Sequence, residues 1–533
     1  MSVSLFDRAL ATVAPGLAMR RAAALGAMRA MDGPGDPGPF GTQAGAAPIA
    51  RRWWKPLARD ARTDTVRELR DQRAKSRDLA RTTPLAVGAI NTNVDRIVGT
   101  GLALSAQPNR KVLGWSDDQA EAWRESVQNE FSMWADSNLC DYGQELNFYQ
   151  QQALVLRSTL ESGDSFTLMP DGERSASMPY ALRLQLLEAD RCGNPDGGMD
   201  TPEMCAGVRM AANGAPQAYF IYDQHPGSGL GLLRGNPMAG NWIERVGPSG
   251  RRKILHHYRK LRPEMPRGVP YLAPIVDCIK QLARFTEAEI MAAVISAYFT
   301  VFIETPGGSA APVFDGGAPG EADGSPEAPI GLSPGAVIGL APGEKINAAQ
   351  PSRPNPNFDP FVQAIIKQIG IALSIPYEIL VKQFQSSYSA SKAALLDFWV
   401  YVRTMRFWLA ASHCQPVYET WMAEAVAQRR IAAPGFFTDP LMRWAYTRAA
   451  WPGDSMGSIN PKDEIEAYVR AIDNRLMTRE QAEWLLWGTD WNQTFPLKAA
   501  EQKRLVGADL LPISAPGSNS ASTRDSTKEG SPA

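Results

Sequence analysis

The sequence predicts an α+β fold, in which a mixed first half leads into long helices. Short apolar segments separated by turn residues run from 165 to 260, which is typical of strands. Residues 268–303 have the apolar spacing of one long helix, a Gly-, Pro- and Ala-rich stretch follows, and a second helical pattern returns at 358–374. A long helix, an excursion and a returning helix predict a helical pair that lines or supports something.

Length and composition narrow the class of protein. The 533 residues suggest roughly two to four domains or one elaborated domain, and 44% apolar residues are enough for a core. A net charge of −1 argues against a protein that grips nucleic acid with a generally basic surface. Five scattered cysteines without a CxxC pair favour a reducing compartment. The chain has neither an apolar run long enough to span a membrane nor a signal-peptide pattern, so we expect a soluble, cytosol-made protein.

The beginning of the chain is predicted to be an arm followed by a basic helix. Residues 1–50 are an Ala-rich, helix-like stretch and a Gly/Pro-rich linker. From Arg51 to Arg81, 11 basic and 5 acidic residues give a balance of +6. Four arginines recur there at helical spacing: Arg67, Arg70, Arg73 and Arg77. They are expected to form a solvated helix face or, more specifically, a phosphate or subunit contact.

Helices and then strands follow. Helices are predicted over 84–98, 116–135 and 144–161 from apolar spacing, with Leu85, Ile90, Val94 and Ile97 inward in the first. Strands are predicted at Ser165–Met169, Ala181–Leu187, Gly207–Ala211, Ala218–Tyr222 and Ile254–Tyr258. Asn213-Gly214 lies between two of these strands and predicts a hairpin turn.

The long helix is predicted to open near Pro270 and to run to about Phe299. Its apolar stripe is Leu272, Ile275, Ile279, Leu282, Ile290 and Val294. A second face carries charges at steps of three and four, namely Asp277, Lys280, Arg284 and Glu287. The residues after it, 305–344, contain no Lys or Arg, and Ile330–Leu340 favours a short strand pair.

Helices dominate the rest of the chain. The helix over 358–374 should carry Phe361, Ile365, Ile369 and Leu373 inward and stop before Pro376. A polar loop then leads to a third helix over 390–426, and two more helices begin at Asn460-Pro461 and at Thr478, whose spacing to Gln481 fits a capping box. From Pro512 the composition is typical of disorder.

Catalytic and metal motifs are weak. Gly453–Gly457 matches a serine nucleophile elbow, but all four histidines precede Ser455 and prolines flank the motif. Ser389 and Lys392 match a short Ser-x-x-Lys pattern, but no Lys-Thr-Gly or Ser-Asp-Asn partner follows, so we favour a helix start capped by Ser389 or Ser391. Adjacent His256 and His257 should point to opposite faces of a strand and so cannot readily share a metal. We therefore expect no enzyme, metal or cofactor.

Several stretches together resemble the lambda-type portal proteins of tailed bacteriophages. The segment 267–303 is the most specific, and 357–395 contains Ser374-Ile375-Pro376-Tyr377-Glu378 in place of the family's Gly-Ile-Pro-Tyr-Glu-like turn. Further matches are Lys75–Asp78 with Val98–Gly101, Leu187–Arg191, and Ile459–Glu464 with Met477–Glu480. The family's usual Tyr-Ser-Ser-x-Arg becomes Tyr388-Ser389-Ala390-Ser391-Lys392. The matches span roughly 60–500.

The resemblance implies a portal fold with an α/β wing, a two-helix stem, a clip insertion and a helical crown. The expected layout is 1–50 arm and linker, 51–270 wing, 271–299 stem helix, 300–356 clip, 357–379 second stem helix, 380–390 tunnel loop, 391–458 wing return helix and connection, 459–511 crown and 512–533 disordered tail. The DNA-facing residues are then expected to be Lys382, Gln383, Gln385, Ser386, Ser387, Tyr388, Ser389 and Lys392.

The resemblance also implies a function and partners. Identical subunits, usually a dodecamer, would form a ring at one capsid vertex through which terminase packages double-stranded DNA, and through which the DNA later leaves. The implied partners are the terminase large subunit, major capsid and scaffold proteins and a head-completion or adaptor protein, with assembly in the host cytoplasm and a final place in the virion. A near-neutral chain with a polar loop fits a channel that must not bind phosphates tightly. Two alternatives stay open, namely another virion or tail-assembly protein and a hydrolase using Ser455.

Overall fold

The computed structural model describes residues 59–228, 236–298, 302–304, 338–340, 357–384, 387–457, 460–489 and 491–508. The chain divides into two compact units. Unit 1 comprises Met1–Gly101 and Ala106–Ala449, and unit 2 comprises Leu102–Ser105 and Ala450–Ala533. The predicted arm at 1–50 and tail at 512–533 lie outside the described residues. Helices and small sheets together confirm the α+β class.

Helices come first in unit 1. They are α1 (Ala61–Thr82), α2 (Pro84–Ile97), α3 (Arg110–Leu113), α4 (Asp117–Ala135) and α5 (Phe148–Ser162). The predicted helices at 84–98 and 116–135 are thus confirmed. The predicted helix at 144–161 begins four residues late, because Asn147 and Gln150 form a capping box that fixes the start of α5.

Two antiparallel sheets follow the helices. The strands of these two sheets are β2 (Asp164–Leu168), β3 (Gln185–Glu188), β4 (Met204–Cys205), β5 (Val208–Met210), β6 (Pro216–Tyr222), β7 (Gly240–Glu244) and β8 (Ile254–Tyr258). One sheet has the order β3-β2-β8 and the other β4-β5-β6-β7. Two-residue strands β1 (Ser105–Ala106) and β11 (Ala449–Ala450) fall where the chain passes from one unit to the other.

Most of the strand predictions are confirmed, and the turn prediction is confirmed in detail. Gly214 has a φ of +78°, and the Ala215 N–H donates to the side-chain oxygen of Asn213 at 3.1 Å. This closes the hairpin between β5 and β6. The prediction at Ala181–Leu187 is wrong in its first half, where Leu182 and Leu184 make isolated bridges and β3 begins only at Gln185.

Two clusters of buried side chains stand out among the described residues of unit 1. A sheet cluster joins both sheets through Phe166, Leu187, Cys192, Cys205, Val208, Met210, Tyr219, Ile221 and Ile254. A helical cluster packs the ring of Phe131 edge-on against Phe148, Tyr418 and Trp421, with centroids 5.1–5.8 Å apart. Buried aromatic side chains of this size contribute much of the hydrophobic stabilisation.

The long helix is shorter than predicted. It is α6 (Val276–Tyr298), 23 residues or about 35 Å, and a 3₁₀ turn at Ala273–Ile275 precedes it. The reason is Pro274, which disfavours helical geometry at the residue before it, so the α-helix cannot continue back to Pro270. Beyond it, β9 (Phe302–Glu304) pairs in parallel with β10 (Ile338–Leu340), while the rest of the predicted excursion lies outside the described residues.

After the excursion, unit 1 is helical again, and the helix predicted over 358–374 is confirmed. Its helices are α7 (Phe358–Leu373), α8 (Tyr377–Val381), α9 (Tyr388–Leu409), α10 (Gln415–Ala427) and α11 (Pro440–Thr447). Ser374 ends α7 with a left-handed φ of +55°, two residues before Pro376. The predicted helix over 390–426 is α9 and α10 joined by a π-helical turn at Ala410–Cys414. We attribute this widened turn to Pro416, which has no N–H to bond within a regular helix.

Three helices form the described part of unit 2 after residue 457. They are α12 (Pro461–Asp473), α13 (Arg479–Trp487) and α14 (Trp491–Gly507). The capping box of Thr478 and Gln481 is confirmed, and Gly488 ends α13 with a φ of +73°. The capping role predicted for Asn460 is wrong, because its side-chain amide donates to Asp463 at 2.6 Å instead of accepting from the helix backbone.

Candidate functional site

The predicted helical pair forms by aromatic packing. The ring of Phe285 in α6 lies between Phe358 and Phe361 of α7, with centroid distances of 5.6 and 4.7 Å. Phe361 was predicted to point inward, but 48% of it is exposed although it touches Phe285. The two helices that flank the excursion are therefore in direct contact.

The first and second halves of the apolar stripe on α6 differ in burial, which the spacing of the residues did not predict. On the apolar stripe, Ile275 and Ile279 are buried, whereas Ile290 is 58% and Val294 42% exposed. The second half of the helix therefore presents apolar side chains to the surface of the single subunit. An exposed row of this kind is typical of a protein contact.

The charged face of α6 lies mostly at the surface. Lys280, Arg284 and Glu287 are exposed, and Asp277 is half-buried. Burial raises the pKa of Asp277, and the positive charges of Lys280 and Lys75 partly oppose that rise. The predicted face therefore exists, with Asp277 at its protected end.

One tyrosine joins the two ends of the helical pair. The Tyr271 hydroxyl donates to the backbone carbonyl of Leu373, the last residue of α7, and accepts from the Asn93 side chain at 3.2 Å. The Tyr271 N–H donates to Leu160 at 2.9 Å. Burial and the neighbouring Tyr401 raise the pKa of Tyr271 well above its ordinary value, so the hydroxyl stays a donor. No pattern in the sequence indicates this role of Tyr271.

The predicted tunnel loop at 380–390 is shorter than expected. Residues 380–381 belong to α8 and 388–390 to α9. Lys382 ends α8 with a left-handed φ of +56°, and the Gln383 N–H donates to the backbone carbonyl of Glu378 at 3.0 Å. Gln385 and Ser386 lie outside the described residues. Pro376 is the N-cap of the short helix α8, so its missing N–H removes no hydrogen bond from within the helix.

The remaining loop candidates lie at the start of α9. The Ser387 hydroxyl accepts from the Ala390 N–H at 3.4 Å, so Ser387 caps this helix and the predicted capping by Ser389 or Ser391 is wrong. Tyr388 is exposed, and the Lys392 ammonium lies 6.0 Å from its ring centroid. These side chains are therefore held on a helix and not on a flexible loop.

A buried ion cluster fixes the segment that leads into the helical pair. The Asp164 carboxylate is fully buried and accepts from Arg267 Nε at 2.5 Å, Arg73 Nη2 at 2.6 Å and His256 Nε2 at 3.0 Å. Arg267 also donates to the carbonyls of Ala189, Cys192 and Ala206. Burial opposes the charge of Asp164, but the two guanidiniums and His256 outweigh it and hold the pKa of Asp164 well below its ordinary value.

This cluster corrects part of the prediction for Arg67, Arg70, Arg73 and Arg77. Arg73 is buried against Asp164, so it is neither a solvated side chain nor a subunit contact. Arg77 pairs with Asp190 of the same chain and donates to the Ser162 hydroxyl at 3.0 Å. The reason is that this face of α1 packs against β2 and the end of α5. Arg67 and Arg70 are exposed, and their role as a subunit contact stays a prediction.

Two glycines allow a close approach of two backbone segments next to the ion cluster. A Cβ on Gly268 would lie 2.0 Å from the carbonyl oxygen of Gly163, and a Cβ on Gly163 would lie 2.5 Å from that of Gly268. Real Cβ atoms do not approach this closely, so both positions require glycine. The chain entering the helical pair is thus pressed directly against the start of β2.

The structure argues against the hydrolase alternative. Ser455 lies in irregular coil at residues 451–457, where its hydroxyl accepts from the Gly457 N–H at 3.3 Å, and the next helix begins only at Pro461. The elbow needs a strand directly before the serine and a helix directly after it.

The histidine prediction is confirmed, since His256 faces Asp164 while His257 contacts the Thr167 hydroxyl at 2.8 Å. Within the described ranges, no group of three or more His, Cys, Asp or Glu side chains is placed to hold a metal ion. Nor does any helix there combine the length and apolarity needed to cross a membrane.

Comparison with known proteins identifies the class. A family model described as "Phage portal protein, lambda family" matches residues 49–406, two thirds of the chain. The protein is therefore a phage portal protein, and it belongs to the lambda family of these proteins.

Particular relatives cover nearly the whole chain. Portal protein B of Escherichia phage lambda is 23% identical over 499 residues, covering 90% of this chain and 92% of the relative. The portal protein of Escherichia phage N15 is 23% identical over 484 residues, covering 86% and 89%. Among solved structures, the neck of a native GTA particle computed with C12 symmetry is 11% identical with a TM-score of 0.38, over 77% of this chain and 92% of that chain. The virion of a native gene transfer agent particle is 13% identical with a TM-score of 0.39, over 78% and 92%.

Proposed function

We propose that this protein forms the ring-shaped DNA channel at one vertex of a phage capsid, as a dodecamer. The observation that carries the proposal is membership of the lambda portal family over residues 49–406. Relatives that align along about nine tenths of the chain bear the name portal protein in phages lambda and N15. In this role, the ring admits DNA during packaging, joins head to tail and later releases the genome.

We assign the parts of the portal fold to the segments predicted from the sequence. Residues 51–270 are the wing, 271–299 and 357–379 the two stem helices, 300–356 the clip, 380–390 the tunnel loop, 391–458 the wing return helix and connection, and 459–511 the crown. The contact of Phe285 with Phe358 and Phe361 supports the stem assignment, because it pairs the two helices that flank the excursion.

The exposed apolar row of α6 supports assembly into a ring. Ile290, Met291 and Val294 each leave more than two fifths of their surface exposed in the single subunit. Burying such side chains removes apolar area from water at about 25 cal/mol per Å², and repetition around a ring multiplies the gain. Neighbouring stems are the natural place for this burial.

Weak contact with DNA fits the charge distribution. Lys382, Tyr388 and Lys392 are the described loop candidates with cationic or aromatic groups, while the excursion at 305–344 has only acidic charges. Each neutralised phosphate adds to binding, so a bore lined by few cations lets a duplex slide. DNA is therefore a transient, sequence-independent partner.

The remaining partners follow from this role. The terminase large subunit and later a head-completion or adaptor protein dock on the clip, and the major capsid and scaffold proteins surround the wing during assembly. The ring assembles in the host cytoplasm and ends in the virion.

Electron microscopy of the purified full chain tests the proposal, alone and together with scaffold and coat proteins. We expect closed rings with a central hole. Substituting Ile290→Glu should reduce the ring fraction at least tenfold, whereas Met199→Glu, a matched change at a highly exposed loop position, should not. A chain that stays single-copy under all these conditions would refute the proposal. Rings without affinity for the terminase would favour another virion or tail-assembly component.

A further inference from the structure

Unit 1 contains an open pocket of about 1050 Å³, here named the arginine pocket. Its floor includes helices α10 and α11, and one wall is the turn between β7 and β8. That turn is held by the bridge between Val246 and Arg252 and by the Gly247 N–H, which donates to Arg251 at 2.8 Å. The pocket therefore has fixed walls and is large enough for several side chains of a bound partner.

The charge of the pocket is positive and only partly compensated. Five arginines line it, namely Arg174, Arg245, Arg251, Arg252 and Arg443, against the three acidic residues Asp171, Glu419 and Glu424, a difference of +2. Each of the three acids already has a partner. Glu424 accepts from Arg174 at 3.0 Å and from the Leu182 N–H at 2.9 Å, Asp171 pairs with Arg251, and Glu419 lies 3.8 Å from Arg252.

Two guanidiniums are left over. Arg245 and Arg443 are exposed, and neither makes an ion pair with a carboxylate in the described part of the chain. Arg443 is held over the ring of Phe436 at 5.5 Å, so its direction is set before anything binds. A pre-oriented guanidinium is well suited to a carboxylate partner.

Aromatic side chains line the same pocket. Phe437 is 63% and Trp444 49% exposed, and Arg448 lies 5.3 Å from the Trp444 ring centroid. Exposed aromatic side chains next to arginines are the composition enriched at protein–protein interfaces. The pocket thus combines an apolar surface with unpaired positive charge.

We propose that the arginine pocket is a docking site for an acidic peptide segment of another protein, anchored by one bulky apolar side chain. The anchor packs on Phe437 and Trp444, and flanking carboxylates pair with Arg245 and Arg443. A nucleic acid duplex fits less well, because its charged backbone offers no apolar side chain to pack on the exposed rings of Phe437 and Trp444. All of its lining residues belong to unit 1 of a single chain, so binding to the pocket can be measured separately from ring formation.

The test begins with selection from a displayed library of random 12-residue peptides on the immobilised full-length protein. The enriched peptide is then synthesised with a fluorescent label and titrated by anisotropy. We expect Asp or Glu residues flanking an aromatic residue or leucine, and binding that weakens as salt is raised. The double variant Arg245→Ala/Arg443→Ala and the single variant Trp444→Ala should each weaken binding at least tenfold. Arg403→Ala, an exposed arginine of α9 outside the pocket, is the matched control and should leave binding unchanged.

Several outcomes would overturn the inference. They are a selection that enriches no peptide, enrichment of basic peptides, and binding that the pocket variants do not change. Competition by a 20-base-pair duplex DNA that depends on Arg245 and Arg443 would assign the pocket to nucleic acid instead. Because these arginines are exposed, circular dichroism of the variants should match the wild type, which separates lost binding from lost folding.

Discussion

Replacing Asp164 with asparagine should destabilise unit 1 strongly. The substitution keeps the size of the side chain and an oxygen that can accept hydrogen bonds, but removes the negative charge. It leaves the guanidiniums of Arg73 and Arg267, with only 5% and 1% of their side chains exposed, without their shared buried counter-ion. Breaking a buried ion pair from one side typically costs about 3–5 kcal/mol. We expect a fall of that size in the free energy of unfolding.

Urea unfolding followed by tryptophan fluorescence measures the effect. With a slope of about 3 kcal/mol per M, such a loss lowers the urea midpoint by about 1–2 M. The control is Asp78→Asn on α1, since Asp78 forms an exposed pair with Arg81 at 3.0 Å. An exposed pair contributes at most about 1 kcal/mol, so the control midpoint should hardly move.

The pH dependence has a defined sign. Because the pKa of Asp164 is lowered in the folded state, its contribution is present above the ordinary carboxyl pKa and is lost as pH falls below it. At neutral pH, the full difference between Asp164→Asn and the control should therefore be visible. A loss within about 1 kcal/mol of that of Asp78→Asn would show that the cluster does not hold the segment that leads into the helical pair.

Three further changes test other parts of the structure. Phe285→Ala removes the ring that packs between α6 and α7, and should lower the free energy of unfolding by about 1–2 kcal/mol. Amide hydrogen exchange in α7 should then become faster, and unchanged exchange would contradict the packing. Gly268→Ala forces a clash with the Gly163 carbonyl and should cost more than about 2 kcal/mol. The control is Gly88→Ala in α2, which has open space around it and should not lower the urea midpoint; equal midpoints for the two variants would count against the close approach. Burial lowers the pKa of His413 to about 3, so the unfolded chain gains a proton below about pH 6.5 that the folded chain does not. The free energy of unfolding of the wild type should therefore fall by about 2 kcal/mol between pH 7 and pH 5 because of His413. In urea titrations at these two pH values, His413→Leu should lack this part of the fall.

Local features of the fold were predictable because their causes are local. The hairpin at Asn213-Gly214 and the capping box of Thr478 and Gln481 each depend on residues within a few positions of one another. The same holds for the end of α7 before Pro376. Where a nearby side chain competed, prediction failed, since Asn460 bonds to Asp463 and Ser387 takes the capping position expected for Ser389 or Ser391.

The periodicity of α6 was predictable, but the partner of its apolar stripe was not. Apolar spacing predicts that Ile279 and Ile290 share one face of a helix. However, Ile279 is buried within the subunit and Ile290 is exposed. Spacing alone does not distinguish a face covered by the same chain from a face that another molecule covers. For that reason, the single-subunit surface carries the information on assembly that the sequence pattern lacked.

The ion cluster escaped prediction because it joins distant parts of the chain, and it changes the meaning of the basic helix α1. Arg73 lies 91 positions from Asp164, and Arg267 lies 103 positions from it. The surplus of +6 between Arg51 and Arg81 would suggest a phosphate-binding surface if all its side chains were solvated. Arg73 and Arg77 instead neutralise Asp164 and Asp190 inside the subunit, so part of this charge is not available at the surface. Arginines that hold the fold together do not add to phosphate binding, and the charge surplus of the sequence therefore overstates the positive charge that α1 presents to any phosphate.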